Sequence, residues 1–80
     1  METRIAIVGI IVNNIDISEE INRILHDYSE YIVGRMGIPY KEKGVSVLSV
    51  VFDAPTDIIG AASGKLGMLP NVSVKAVYSK

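Results

Sequence analysis

Cysteine and tryptophan are absent from this 80-residue sequence, and histidine occurs once. Without cysteine there is no disulfide framework and no thiolate ligand for a metal ion. His26 is the single imidazole and cannot assemble a transition-metal site within one chain, so we interpret it as a solvated helix residue. Metal ligation across an oligomer interface is the alternative. No metal and no other cofactor is predicted.

Long apolar runs and excess charge are also missing. No uninterrupted apolar tract reaches the roughly 18 residues that would indicate a bilayer-spanning helix, and the N-terminal apolar run lacks the basic flank and cleavage site of a signal peptide. We therefore predict a cytoplasmic protein. Eight basic against nine acidic side chains give a net charge of −1. Because that balance does not attract phosphate backbones, direct nucleic-acid binding by this chain alone is not expected.

The chain is long enough for one domain, residues 1–80, and four of its segments have the patterns of strands. Residues 3–12 and 44–54 are apolar on both alternating faces, which is typical of central strands covered on both sides. Residues 72–79 alternate between an apolar and a mostly polar face. Residues 31–38 are interrupted by glycines and suit an edge strand.

Two segments between these strands have helical periodicity. Asp16 and Glu19 have the spacing of a capping box and predict a helix that starts there. Its apolar residues recur at helical spacing at Ile17, Ile21, Ile24 (with Leu25) and Tyr28. The second helix should begin at Pro55 and end before Pro70, with an apolar face formed by Ile59, Ala62, Leu66 and Leu69.

The element order β-α-β-β-α-β predicts an α+β, ferredoxin-like sandwich with an antiparallel sheet in the order 4-1-3-2 and both helices on one face. This order makes strands 1 and 3 central, in agreement with their two apolar faces. The face without helices would then expose a larger apolar area than soluble monomers usually tolerate. We therefore predict a homodimer or homotetramer that assembles through the sheet.

The segment "GAASGKLG", residues 60–67, places glycines four apart in the second helix. We favour tight packing of this helix on the sheet, with a C-terminal glycine cap at Gly64 or Gly67. Close approach of a partner subunit or ligand is the alternative. The segment lacks the upstream glycine and the following hydroxyl residue of a phosphate-binding P-loop.

Five residues are candidate ligand-binding residues. Asn13 and Asn14 lie where the first strand meets the first helix, whose positive dipole end favours an anionic or zwitterionic ligand; a simple turn is the plainer explanation. In "GRMGIPYKEKG", residues 34–44, the glycines suit a bulge and a hairpin turn, with Gly44 available for a positive φ. Arg35, Lys41 and Lys43 in the same segment could orient an anion.

No catalytic constellation is predicted. Ser63 and His26 lie on separate helices with no sign that they meet, and the carboxylates of the first helix have the pattern of a solvated face. We therefore do not expect an enzyme.

The segments "VGRMGIPYKEKGVSVLSVV" and "GKLGMLPNVSVKAVYSK" resemble a family of small bacterial proteins named as regulators of the iron-only hydrogenase system. The fold is also similar to ACT domains and to the C-terminal domain of the nickel-responsive repressor, which assemble through their sheets and bind small effectors at subunit interfaces. With only His26, a nickel site of that type is not implied. Residues 12–16 lack the usual glycine of the ACT ligand loop, and they lack the arginine of acylphosphatase-type catalysis.

Our leading hypothesis is a non-catalytic, homo-oligomeric, ACT-like module that senses a small molecule and is linked to regulation of the iron-only hydrogenase system. A small anionic or amino-acid effector would bind between the loop after strand 1 and strand 2 of a neighbouring subunit. The alternative is a structural or assembly protein that acts through protein-protein contacts and has no ligand.

Overall fold

The computed structural model describes residues 2–13 and 15–79. Asn14, one of the predicted ligand-binding residues, lies outside them. The strands are β1 Arg4–Val12, β2 Ile32–Tyr40, β3 Val45–Ala54 and β4 Val72–Tyr78. The helices are α1 Ser18–Asp27 and α2 Thr56–Gly67, and short 3-10 turns lie at Ile15–Ile17, Ser29–Tyr31 and Lys41–Lys43.

The four strands form one antiparallel sheet in the order β2-β3-β1-β4. Counted from the other edge, this is the predicted order 4-1-3-2, so the ferredoxin-like prediction is confirmed. β1 and β3 are central, and β2 and β4 are the edges.

The hydrophobic core lies between the sheet and the two helices. Alternate residues of the central strands face the helices and are buried, as the register of Ala6 opposite Phe52 and Val8 opposite Val50 shows. The helices contribute their predicted apolar faces, of which the fully covered members are Ile21, Leu25, Ile59, Ala62 and Leu66. Among the described residues, every buried side chain is hydrophobic. Both helices therefore cover the same face of the sheet.

The start of α1 differs from the prediction. The N-cap position is occupied by Ile17, which makes no side-chain capping hydrogen bond, and α1 begins at Ser18. A 3-10 turn, tighter than an α-helical turn, precedes it. This turn buries Ile17 in the core at 8% exposure, so Asp16 does not take the N-cap position that the capping-box spacing predicted.

The edge strand β2 extends two residues past its predicted end, through Pro39 and Tyr40. Pro39 is tolerated because β2 has a neighbour on one side only, so the missing N–H need not break the ladder. The predicted bulge is present, with a register shift between Ile32 and Gly34.

The glycines of α2 do not pack on the sheet, so the favoured interpretation of "GAASGKLG" is wrong. A Cβ added at Gly60, Gly64 or Gly67 would meet nothing within 4 Å, because these positions lie on the outer side of the helix. The predicted glycine cap is absent as well. The C-cap is Met68 in a right-handed conformation, and the positive φ of this region, 63°, occurs at Asn71.

Gly44 ends the 3-10 turn between β2 and β3 with a φ of 66°, as predicted. We expect Gly44→Ala to lower the free energy of unfolding by about 1–2 kcal/mol, because a Cβ is unfavourable in the left-handed region. Urea denaturation measures this loss.

Gly60→Ala is the matched control for that change. Gly60 lies inside a helix and has open space around it, so alanine should stabilise the protein by about 0.5–1 kcal/mol. If both alanine variants gave the same change, the conformational explanation for Gly44 would fail.

Candidate functional site

The face of the sheet opposite the helices is apolar and uncovered. Ile5, Ile7 and Ile11 of β1 point to this side and are 44%, 48% and 45% exposed. The register places Val51 and Val77 beside Ile7. The other exposed apolar side chains of this face are Met36, Ile38, Tyr40 and Val47. We call this surface the open face; it extends across all four strands.

A shallow depression of about 320 Å³ lies near the centre of the open face. Gly9 lines this depression, has no side chain and pairs with Ser49 on one side and Lys75 on the other. Ile11 and Val47 also line it. The open face therefore has room for side chains of an opposing surface.

The helix side of β2 contains a second feature, because the helices do not cover this strand. All residues from 33 to 40 are exposed. Between α1 and β2 lies a cavity of about 260 Å³, which we call the α1–β2 groove. Its apolar lining includes Val12, Ile21, Pro39 and Leu48, and its polar lining consists of Ser18, Asn22, Arg35 and Ser46.

Gly37 helps to create the α1–β2 groove. It lies opposite Leu48 in the β2–β3 ladder and lines the groove. A Cβ at this position would come no closer than 3.7 Å to Leu48 Cδ2. The missing side chain at position 37 therefore leaves space in the groove.

Arg35 is the charged residue of the groove. It pairs with Val50, whose side chain is buried against the helices, so Arg35 also points to the helix side. Its Nη2 donates a hydrogen bond to Asn22 Oδ1 at 2.9 Å. Within residues 2–13 and 15–79, no carboxylate forms an ion pair with Arg35. The guanidinium charge is therefore available to a ligand.

A second cavity, of about 360 Å³, lies beside the contact between Arg35 and Asn22. It is lined by these two residues and by Leu25, His26, Ser29 and Ile32. His26 is an exposed helix residue, as predicted, but its position beside this cavity was not foreseen. Asn22 was missed as a site residue because nothing in the sequence pairs it with a residue 13 positions later.

Three other predicted site residues, Asn13, Lys41 and Lys43, do not line the groove. Asn13 follows β1, and its backbone N–H donates to the Asn71 carbonyl oxygen at 2.8 Å. Lys41 and Lys43 belong to the turn between β2 and β3, at the same end of the sheet as Asn13. Arg35 is five paired residues from Tyr40, a span of about 17 Å along an extended strand. Neither lysine lines the groove.

Comparison with known proteins identifies the family. A family model described as "TM1266-like: Iron-only hydrogenase system regulator, putative" matches residues 4–76. The chain belongs to the TM1266-like family. The structure of the uncharacterized protein TM1266 from Thermotoga maritima is similar to this TM1266-like chain over 99% of this chain and 100% of that one, with 38% sequence identity and a TM-score of 0.94. No curated protein matches.

The resemblance to regulators of the iron-only hydrogenase system is thus confirmed at the level of the family. The family description names a regulatory system and does not specify a ligand. Among the residues that the structure covers, no group of three or more metal-ligating side chains could hold a metal ion in this TM1266-like chain. In the same residues, no helix is long and apolar enough to cross a membrane.

Proposed function

We propose that this TM1266-like protein is a non-catalytic, ACT-like regulatory module of the iron-only hydrogenase system that works as a homo-oligomer. The open face carries the proposal: six apolar side chains of β1 and β2 on it are each more than 40% exposed, namely Ile5, Ile7, Ile11, Met36, Ile38 and Tyr40. Apolar area of this extent on a small soluble domain is typical of a protein-protein interface.

The size of the open face supports assembly. Its strands contain seven to ten residues, and four strands about 4.8 Å apart with a rise of about 3.3 Å per residue cover ~600 Å². Two such faces in contact would bury about 1,200 Å², which is the lower end of the range for stable interfaces.

The charges of the open face favour a second copy as the partner. Asp53 and Lys75 are the charged strand residues that point to this side, one of each sign. In a two-fold assembly the same surface meets itself, so each charge can find an opposite one on the other subunit. The depression at Gly9 can receive an apolar side chain from that subunit.

The sensing part of the proposal depends on Arg35, whose charge has no acidic partner among the described residues. A small anionic or amino-acid effector is the proposed ligand. Binding by Asn13, Asn14, Lys41 and Lys43 stays a prediction, as does the cytoplasmic location.

A structural or assembly protein without a ligand is the second candidate, because the open face alone is sufficient for that role. Thermal unfolding with a panel of amino acids, nucleotides and metal ions separates the two candidates, since a ligand that binds the native state must raise the melting temperature. A negative result across the panel would favour the ligand-free role.

Light scattering tests the assembly directly. At micromolar concentration we expect a mass of at least twice the 8.7 kDa of one chain, because burial of the open face favours association. A monomer under these conditions would contradict the proposed function.

A further inference from the structure

We propose that the α1–β2 groove binds a small organic monocarboxylate with an aliphatic body, whose carboxylate is held by Arg35. This inference depends on the proposed sensing role and specifies its ligand. It differs from the predicted site in position, since it uses one chain and lies on the helix side of the sheet.

The polar end of the groove suits a carboxylate. A guanidinium has five N–H donors in a planar fork that matches the two oxygens of a carboxylate, and one of these donors is used by the bond to Asn22. Because Asn22 accepts this bond through Oδ1, its Nδ2 keeps two donors for the same ligand. Arginine and asparagine together can therefore hold both carboxylate oxygens.

The charge of the groove favours a ligand with a single negative charge. Arg35 is the charged side chain of its lining, and neither Lys41 nor Lys43 contributes. A phosphate monoester has a charge of about −1.5 to −2 at pH 7. One arginine would therefore leave part of its negative charge without a partner. The single negative charge of a carboxylate balances the single positive charge of the guanidinium.

The body of the groove suits a short aliphatic group. Val12, Ile21 and Leu48 supply apolar walls, and the first two are almost fully buried. The volume of about 260 Å³ is just below the range of about 300–1,000 Å³ typical of ligand sites. A branched aliphatic acid therefore fits better than a nucleotide or another large ligand.

Titration of the full chain with 3-methylbutanoate, followed by amide signals in nitrogen-15 NMR spectra, tests the proposal. We expect saturable shifts of the Asn22, Arg35 and Gly37 signals with a dissociation constant on the order of 1 mM. The neutral isostere 3-methylbutanamide should bind at least about tenfold more weakly, because it lacks the charge that pairs with the guanidinium.

Two variants probe the two ends of the groove. Arg35→Ala should weaken binding of 3-methylbutanoate at least about tenfold. Gly37→Val should abolish it, since the valine side chain would enter the groove while the strand geometry accepts a β-branched residue. Arg23→Ala is the matched control: Arg23 is an exposed arginine of α1 that does not line the groove, and its loss should leave the affinity unchanged.

Several results would overturn the proposal: no saturable shifts with 3-methylbutanoate, equal binding of the amide, unchanged affinity in Arg35→Ala, or equal binding of inorganic phosphate at the same signals. These failures are distinct from failure of the proposed function. A monomeric mass would refute assembly. If the titration with 3-methylbutanoate fails but another ligand of the panel raises the melting temperature, sensing is preserved and only the carboxylate proposal is refuted.

Discussion

Ile7→Glu is expected to yield a folded monomer of 8.7 kDa, in contrast to the homo-oligomer that we propose for the unmodified chain. Ile7 lies in the centre of the open face between Val51 and Val77, and it is outside the core because it is 48% exposed. In a two-fold assembly a glutamate here enters the interface twice. Each buried carboxylate would cost several kcal/mol, on the order of the penalty for desolvating an ion, and the two would repel each other.

Met68→Glu is the matched control for the change at Ile7. Among residues 2–13 and 15–79, Met68 has the most exposed large apolar side chain, at 86%, and it directly follows α2. Met68→Glu causes a loss of hydrophobicity similar to that of Ile7→Glu and the same change in charge. Light scattering should show an unchanged assembly for Met68→Glu. An assembled Ile7→Glu protein would show that the open face is not the interface.

Phe52→Ala should produce the largest loss of stability. Phe52 is the single phenylalanine, has 0% exposure, and faces the helices from β3 beside Ala6 and Ile32. Truncation of a buried phenylalanine costs about 3–5 kcal/mol through lost transfer free energy and the cavity left behind. Since domains have free energies of unfolding of about 5–15 kcal/mol, this cost is a large fraction of the total stability. At the lower end of that range we expect a partly unfolded variant at 25 °C.

Urea denaturation at one fixed protein concentration measures this loss, because the apparent stability of an assembled protein depends on concentration. Met68→Ala serves as the control, since an exposed side chain should change the free energy of unfolding by less than about 0.5 kcal/mol. A cost below about 1 kcal/mol for Phe52→Ala would contradict the position of Phe52 in the core.

The elements of the fold were predictable because hydrophobic periodicity is local. The alternation in residues 3–12 and 44–54 identified the central strands, and the helical spacing from Ile17 to Tyr28 identified the face of α1 that packs on the sheet. The boundaries were less predictable. Asp16 and Glu19 have capping-box spacing, yet α1 begins after a 3-10 turn in which Ile17 is buried.

The conformation of a glycine was predictable where the local backbone alone determines it. Gly44 was assigned a positive φ from its place in a turn, and the structure has it. Gly60 and Gly64 were placed against the sheet, but their positions lie on the outer side of α2. Their spacing is the same whether the glycines face the sheet or the outer side of the helix. Helical periodicity shows which residues share a face and not what that face contacts.

The sequence by itself determined the order of the elements, the two apolar faces of β1 and β3, and therefore the open face. These follow from the period-2 alternation of side chains along a strand, which needs no tertiary information. Only the tertiary structure decided that Arg35 meets Asn22 and that a groove lies beside them. That outcome depends on how far β2 extends beyond the helices and on the missing side chain of Gly37, and packing between distant segments controls both.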